Sequence, residues 1–319
     1  MSQILSVTFP FFALVLCGWL ATRSRLVSLE AIPGLNAFVL LFALPCMLYR
    51  FASITPIVRL LDPSVVLTYL SCALAMVALT VATTRSGPVG WKDGAFGALV
   101  AAFPNSGFMG VPLLVALLGK EAAGPAIVAL SVDMVFTSSI CIALSQLDAA
   151  GEQGARGAAL QGLQGMVKNP LPWSIALGCL STATGWQLPG PAMRVVEMLA
   201  EAASPAALFT IGAVLARPRA DPAPSQRRRR RDVPQLVAYK AFVHPALVFA
   251  AGSAAIALGA PLDRFSFMVL VLVAALPSAS NVPMLAERFG ADAGRIARVV
   301  LAATVVTFAS FPLIVALLQ

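Results

Sequence analysis

Phe103-Pro104-Asn105-Ser106-Gly107-Phe108-Met109-Gly110-Val111-Pro112 and Leu276-Pro277-Ser278-Ala279-Ser280-Asn281-Val282-Pro283 decide how this chain is read. Each stretch sets an Asn among prolines inside a long apolar run. Proline lacks the N–H a helix needs and its ring displaces the carbonyl four residues earlier, while Gly107 and Gly110 loosen the backbone further. The first stretch is therefore expected to interrupt its helix between Ala102 and Leu113, and the second to unwind between Pro277 and Pro283.

The runs around these breaks belong in a membrane. The chain has 319 residues, 59% hydrophobic and 11% charged, whereas a soluble domain carries roughly 25% charged side chains. Apolar runs of about 20 residues, such as residues 60–82, match a hydrocarbon core of about 30 Å at a helical rise of about 1.5 Å per residue. Ten spans can be drawn, at 3–21, 34–55, 63–83, 93–118, 124–146, 168–186, 194–215, 236–259, 265–288 and 294–318. The expected class is an all-α integral membrane protein, with residues 1–20 read as a retained first span because no basic n-region or clear cleavage site is present.

The Gly/Ala/Gln-rich connection at 148–166 divides the map into a first five-helix unit, 1–147, and a second, 167–319. An odd number of spans per half makes the second half enter the membrane with opposite polarity. The two interrupted spans, fourth and ninth, then fall in corresponding positions, which is the sequence pointer to a transporter built from inverted repeats.

The net charge of +8 does not point to nucleic acid, because the basic residues lie in short connections between apolar runs. Assigning alternate connections to one side gathers 17 of the 22 basic residues there, including the run Arg227 to Arg231. That side is read as cytoplasmic, in the inner (plasma) membrane, with both termini outside. The Arg/Pro-rich linker at 217–232 is expected to bury nothing and to contact anionic lipid headgroups. Cys17, Cys46, Cys72, Cys141 and Cys179 lie in or beside apolar runs without metal-ligand spacing, so they read as small core residues, and a single His cannot build a histidine-rich metal site. No cofactor is expected, and the absence of a Gly-rich phosphate loop excludes P-loop ATP hydrolysis by this chain.

Opened peptide groups deep in hydrocarbon must face protein, water or a ligand. If the two breaks cross, free N–H groups, half-helix N-termini and the carboxamides of Asn105 and Asn281 make a pocket suited to an anion. The plainer alternative for either span is a proline kink that needs no ligand. Asp133 in the fifth span costs about 3 kcal/mol to insert unless paired, wetted or protonated, and reads either as an internal hydrogen bond or as a proton or cation site. Lys240 in the eighth span either extends to the headgroups or serves as an interior ion partner of Asp133 or substrate. His244, four residues on, shares a helical face with it and reads as packing or proton handling. Asn36, near the start of the second span, is a further candidate beside the first break.

The order of several segments resembles one family. Gly18-Trp19-Leu20-Ala21, Ile32-Pro33-Gly34-Leu35-Asn36, Ala43-Leu44-Pro45, the fourth-span stretch, Lys168-Asn169-Pro170-Leu171, Leu208-Phe209-Thr210-Ile211-Gly212, Lys240 with His244-Pro245, and the ninth-span stretch are together similar to the auxin efflux carrier family. Its bacterial members include organic-acid permeases, and its fold is similar to that of plant PIN carriers and bile-acid sodium symporters. The resemblance implies two inverted five-helix repeats with helices four and nine crossing at the substrate site, carboxylate transport by elevator-like motion, and homodimers. It maps Pro104, Asn105, Gly107, Gly110 and Pro112 onto the first crossover element and Pro277, Asn281 and Pro283 onto the second, with Ser280 between them.

The expected function is secondary transport of a small organic anion, a mono- or dicarboxylate. Coupling stays open between none, a proton through Asp133 or His244, and sodium on carbonyls and hydroxyls such as Ser106, Ser278 and Ser280. Alternatives are a sodium-coupled symporter of the bile-acid type, a membrane carboxylate sensor, and a membrane enzyme, for which no zinc constellation or Ser-His-Asp set is in view.

Overall fold

A computed structural model describes residues 2–55, 62–84, 89–147, 170–216 and 232–318. The connection at 148–166 and the linker at 217–232, apart from Asp232, lie outside the described residues. Those described are almost entirely helical, with no strand among them. In chain order we label α1 (Ser2–Arg23), α2 (Ala31–Ile54), α3 (Pro63–Thr84), α4 in two pieces (Trp91–Ala102 and Ser106–Leu118), α5 (Lys120–Ser145) and α6 (Pro170–Thr184). There follow α7 (Gly190–Leu215), α8 (Val233–Ala257), α9 in two pieces (Arg264–Ala274 and Val282–Arg288) and α10 (Ala293–Leu318).

Six of these helices, α2, α3, α5, α7, α8 and α10, are each long and apolar enough to cross a membrane, among the described residues. Leu16, Leu67, Trp173, Leu177, Phe242 and Phe308 point outward. That pattern suits lipid as solvent, where exposed apolar side chains carry no penalty.

The helices pack in two groups. In the first, α1 lies along α7 and α2 lies between α6 and α7. Glycine makes these crossings close: a Cβ on Gly18 would stand 1.9 Å from the Phe209 carbonyl oxygen, and one on Gly212 would stand 1.9 Å from that of Val15. Small residues let backbones approach where no hydrophobic force from water drives helices together. In the second group, α3, α4, α5, α8, α9 and α10 pack on one another.

One end of this second group is clasped by charge. Arg295, fully buried at the start of α10, donates through both Nε and Nη2 to the Asp232 carboxylate and through Nη1 to the Asp93 carbonyl at 2.7 Å. The Asp292 N–H bonds Asp93 Oδ1 at 2.9 Å, so the starts of α4, α8 and α10 are fastened together. Arg295 is one of the 17 basic residues that the alternating assignment gathers on the cytoplasmic side, yet its charge is held inside the protein.

Among the described residues, four helices carry one widened π-turn each, at Val39–Ala43, Ser106–Gly110, Asp133–Thr137 and Tyr239–Val243. Such turns occur often at functional sites because the extra residue rotates side chains off the regular face. Three of the four hold or adjoin the polar candidates.

Candidate functional site

Both interruptions form, and they meet. The first is short: regular helix ends at Ala102, only Phe103 to Asn105 are unwound, and the wide turn at Ser106 restarts the helix. Gly107, Gly110 and Pro112 lie inside the restarted helix, Pro112 just after its widened turn Ser106–Gly110. The second interruption runs from Ala275 to Asn281, and Pro283 occupies the opening turn of the next piece.

Pro104 and Ser278 form an antiparallel bridge. The Asn105 N–H donates to the Pro277 carbonyl at 2.8 Å and the Ala279 N–H to the Phe103 carbonyl at 3.0 Å. Ser278 Oγ donates to the Val100 carbonyl at 2.7 Å. In an unbroken helix that carbonyl would accept from residue 104, a proline with no N–H, so the hydroxyl of one break replaces the donor missing from the other.

Around this bridge Pro104, Asn105, Ser106, Gly107, Pro277 and Ser278 are buried, while Ser280 and Asn281 are half-buried. The carboxamide oxygens of Asn105 and Asn281 are both buried without a hydrogen-bond partner. Gly107 and Phe108 open the second piece of α4, so their N–H groups have no carbonyl one turn earlier within it. Unused donors and acceptors are thus concentrated at the crossing.

The remaining candidates fall into two polar groups nearby and one outlier. Fully buried Asp133 accepts from Tyr69 Oη at 2.8 Å and Thr137 Oγ1 at 3.0 Å, tying α5 to α3. Lys240 has no exposed surface and does not reach for headgroups; its Nζ lies 2.9 Å from the Ala274 carbonyl and 3.1 Å from His244 Nδ1. Lys240 and His244 share a face, as their spacing predicts. Asn36 is half-buried in the first turns of α2, a piece whose main packing partner beyond α2 itself is α7. Of the cysteines, Cys72 and Cys141 are buried, but Cys17 is exposed on α1 and so faces outward rather than into a core.

Sequence reasoning did not single out Tyr69 or Thr137, and it considered Ser278 only as a sodium ligand. The i, i+4 rule marks the Val100 carbonyl as lacking a donor once Pro104 is seen, but the residue that fills it comes from 178 positions away.

A family model described as "Membrane transport protein" matches residues 4–153 and 159–315. Over 316 residues the chain is 29% identical to the "Putative malonate transporter" of Rhizobium meliloti (strain 1021), covering 97% of this chain and 94% of that protein. It is 25% identical over 292 residues to the "Uncharacterized transporter YfdV" of Escherichia coli (strain K12), covering 88% and 86% respectively. "Auxin efflux carrier component 8" of Arabidopsis thaliana is 26% identical over 165 residues, half of this chain and 45% of its own.

Proposed function

The chain belongs to the membrane transport protein family, and on that premise we propose that it is a secondary transporter that carries a small organic anion, a mono- or dicarboxylate, between Asn105 and Asn281. The observation that carries this reading is the pairing of the two breaks, which brings two neutral carboxamides to one crossing, each with an NH2 group able to donate to a carboxylate. A carboxylate needs donors and tolerates no neighbouring negative charge, and neutral amides with free helical N–H groups supply that without setting a full charge in the membrane. The printed name of the Rhizobium relative makes malonate the first substrate to try.

For the moving parts, we infer an elevator-like shift of α3, α4, α5, α8, α9 and α10 against α1, α2, α6 and α7. The two packing groups support it: the first is joined by glycine-mediated backbone contact, and the second by the bridge and the Arg295 clasp. Ten crossings in two inverted five-helix repeats, with both termini outside, complete the proposal: the apolar runs give the ten spans, their odd number in each half gives the inversion, and the one-sided basic residues give the orientation.

The test is uptake of radiolabelled malonate, acetate and larger carboxylates into proteoliposomes holding the purified protein. Saturable flux of at least one anion, competed by its unlabelled form, is the expected result. No anion moving in either direction overturns the reading.

A further inference from the structure

We propose that a groove between α2, α6 and the start of α7 holds one acyl chain of a zwitterionic phospholipid, as a fixed part of the packing group formed by α1, α2, α6 and α7. The proposal rests on the chain's place in a membrane and not on the anion it carries.

The groove has a volume of about 530 Å³ and is lined by Cys46 and Tyr49 of α2, Ser174 and Thr184 of α6, Trp186 of the α6–α7 connection and Val196 of α7. At about 30 Å³ per water-sized group, that space takes roughly 17 of them. Along α6 it runs from Ser174 to Thr184, about 15 Å at a helical rise of about 1.5 Å per residue. That is half of a hydrocarbon core of about 30 Å, the depth of one leaflet. Leu177, Leu180 and Trp186, which also line it, are more than half exposed, so the groove opens on the face that lipid covers. Its two long walls are fixed to each other. At Gly178 a Cβ would stand 2.5 Å from the Ala52 Cβ, and Thr182 Oγ1 donates to the Ser53 carbonyl at 2.8 Å. The helices already touch there, so they cannot approach further to close the groove.

The walls suit hydrocarbon and not water. Four lining residues carry hydroxyls, but each is spent within the protein. Tyr49 Oη donates to Ser181 Oγ at 3.4 Å, Ser181 Oγ to the Trp186 carbonyl, Ser174 Oγ to the Pro170 carbonyl at 2.9 Å and Thr184 Oγ1 to the Leu180 carbonyl at 2.8 Å. A buried water makes about three hydrogen bonds, which these groups do not offer. An empty groove would forfeit dispersion contacts along its whole length, and the solvent that reaches it is made of acyl chains. The charges beside it are paired. Arg194, two residues before Val196, lies 3.1 Å from Glu197, and Arg50, one turn from Cys46 on the same face, lies 3.9 Å from Glu201. Paired signs leave no surplus positive charge to select an anionic headgroup, whereas a headgroup with a phosphate and an ammonium matches an Arg and a Glu.

The test is photo-cross-linking of the full-length protein in nanodiscs doped with phosphatidylcholine or phosphatidylglycerol that carries a diazirine at mid-chain, the label being mapped by peptide mass spectrometry. Leu67 of α3 and Phe308 of α10 are exposed to a similar degree as Leu177 and report passing lipid. With the phosphatidylcholine probe, Leu177 and Ser174 are expected to carry about ten times the label of these controls, the ratio that about 1.4 kcal/mol of preference gives. Equal labelling of groove and controls means ordinary boundary lipid and overturns the proposal, as does labelling of the groove by phosphatidylglycerol alone. Cys46→Trp fills the groove and should bring its label down to that of the controls; undiminished label at Leu177 overturns the proposal. Should C46W fail to fold, V196W fills the groove from α7 and is read the same way. A second copy of this chain is the rival occupant: a disulfide-linked dimer of Leu177→Cys, with a groove that takes no lipid label, overturns the proposal in its favour. Labelling is read without any substrate, so failure of every anion to move leaves this result standing.

Discussion

At the scale of single residues, the crossing separates groups that hold the site from groups left over for a ligand. Ser278 belongs to the first kind, since its hydroxyl gives the Val100 carbonyl the donor that Pro104 cannot. Replacing it with Ala should lower stability by about 1–3 kcal/mol, the cost of an unsatisfied buried acceptor, read as a drop in Tm. Asn281 belongs to the second kind, a half-buried neutral carboxamide in the second break whose NH2 group can donate to a carboxylate. Asn281→Ala should abolish malonate binding in an equilibrium assay while the protein stays folded and inserted; unchanged affinity would end its assignment. Asp133 is fully engaged by Tyr69 and Thr137. Its pairing suits the internal hydrogen bond named from sequence, and Asp133→Ala should cost about 1–3 kcal/mol by stranding the Tyr69 hydroxyl.

At the scale of elements, proline and glycine act by position rather than by presence. Pro104 and Pro277 lie in the unwound segments, whereas Pro112 follows the widened turn Ser106–Gly110 and Pro283 sits in the opening turn of its piece, and both leave their helices intact. A count of helix breakers over 103–112 thus overstates the first break, because a widened turn just before Pro112 lets the helix run on through it. Gly18 and Gly212 show the converse. Neither marks a turn; each lets α1 and α7 approach to backbone contact. Gly212→Ala should push the helices apart and cost about 1–3 kcal/mol, as overpacking does, measured by thermal unfolding in detergent.

At the scale of the whole molecule, the proposed shift of one packing group past the other makes a distance prediction. Spin labels on Thr184, at the end of α6, and on Leu258, after α8, should change separation when malonate is added, since they ride on different groups. Labels on Leu258 and Glu121 ride on the same group and should not move apart. Equal responses from both pairs, by pulsed dipolar spectroscopy, would count against two rigid bodies. The sequence by itself determined that this chain is helical and lives in a membrane, because only lipid accommodates such long apolar runs, and that two of its spans are interrupted, because proline cannot donate within a helix. It also placed Lys240 beside His244, a consequence of the helical repeat. Local sequence cannot say which distant carbonyl a side chain reaches. Packing alone decided that the breaks pair with each other, that Ser278 serves Pro104's helix, that Arg295 turns inward to Asp232, and that Lys240 ends on the carbonyl of Ala274 rather than among lipid headgroups.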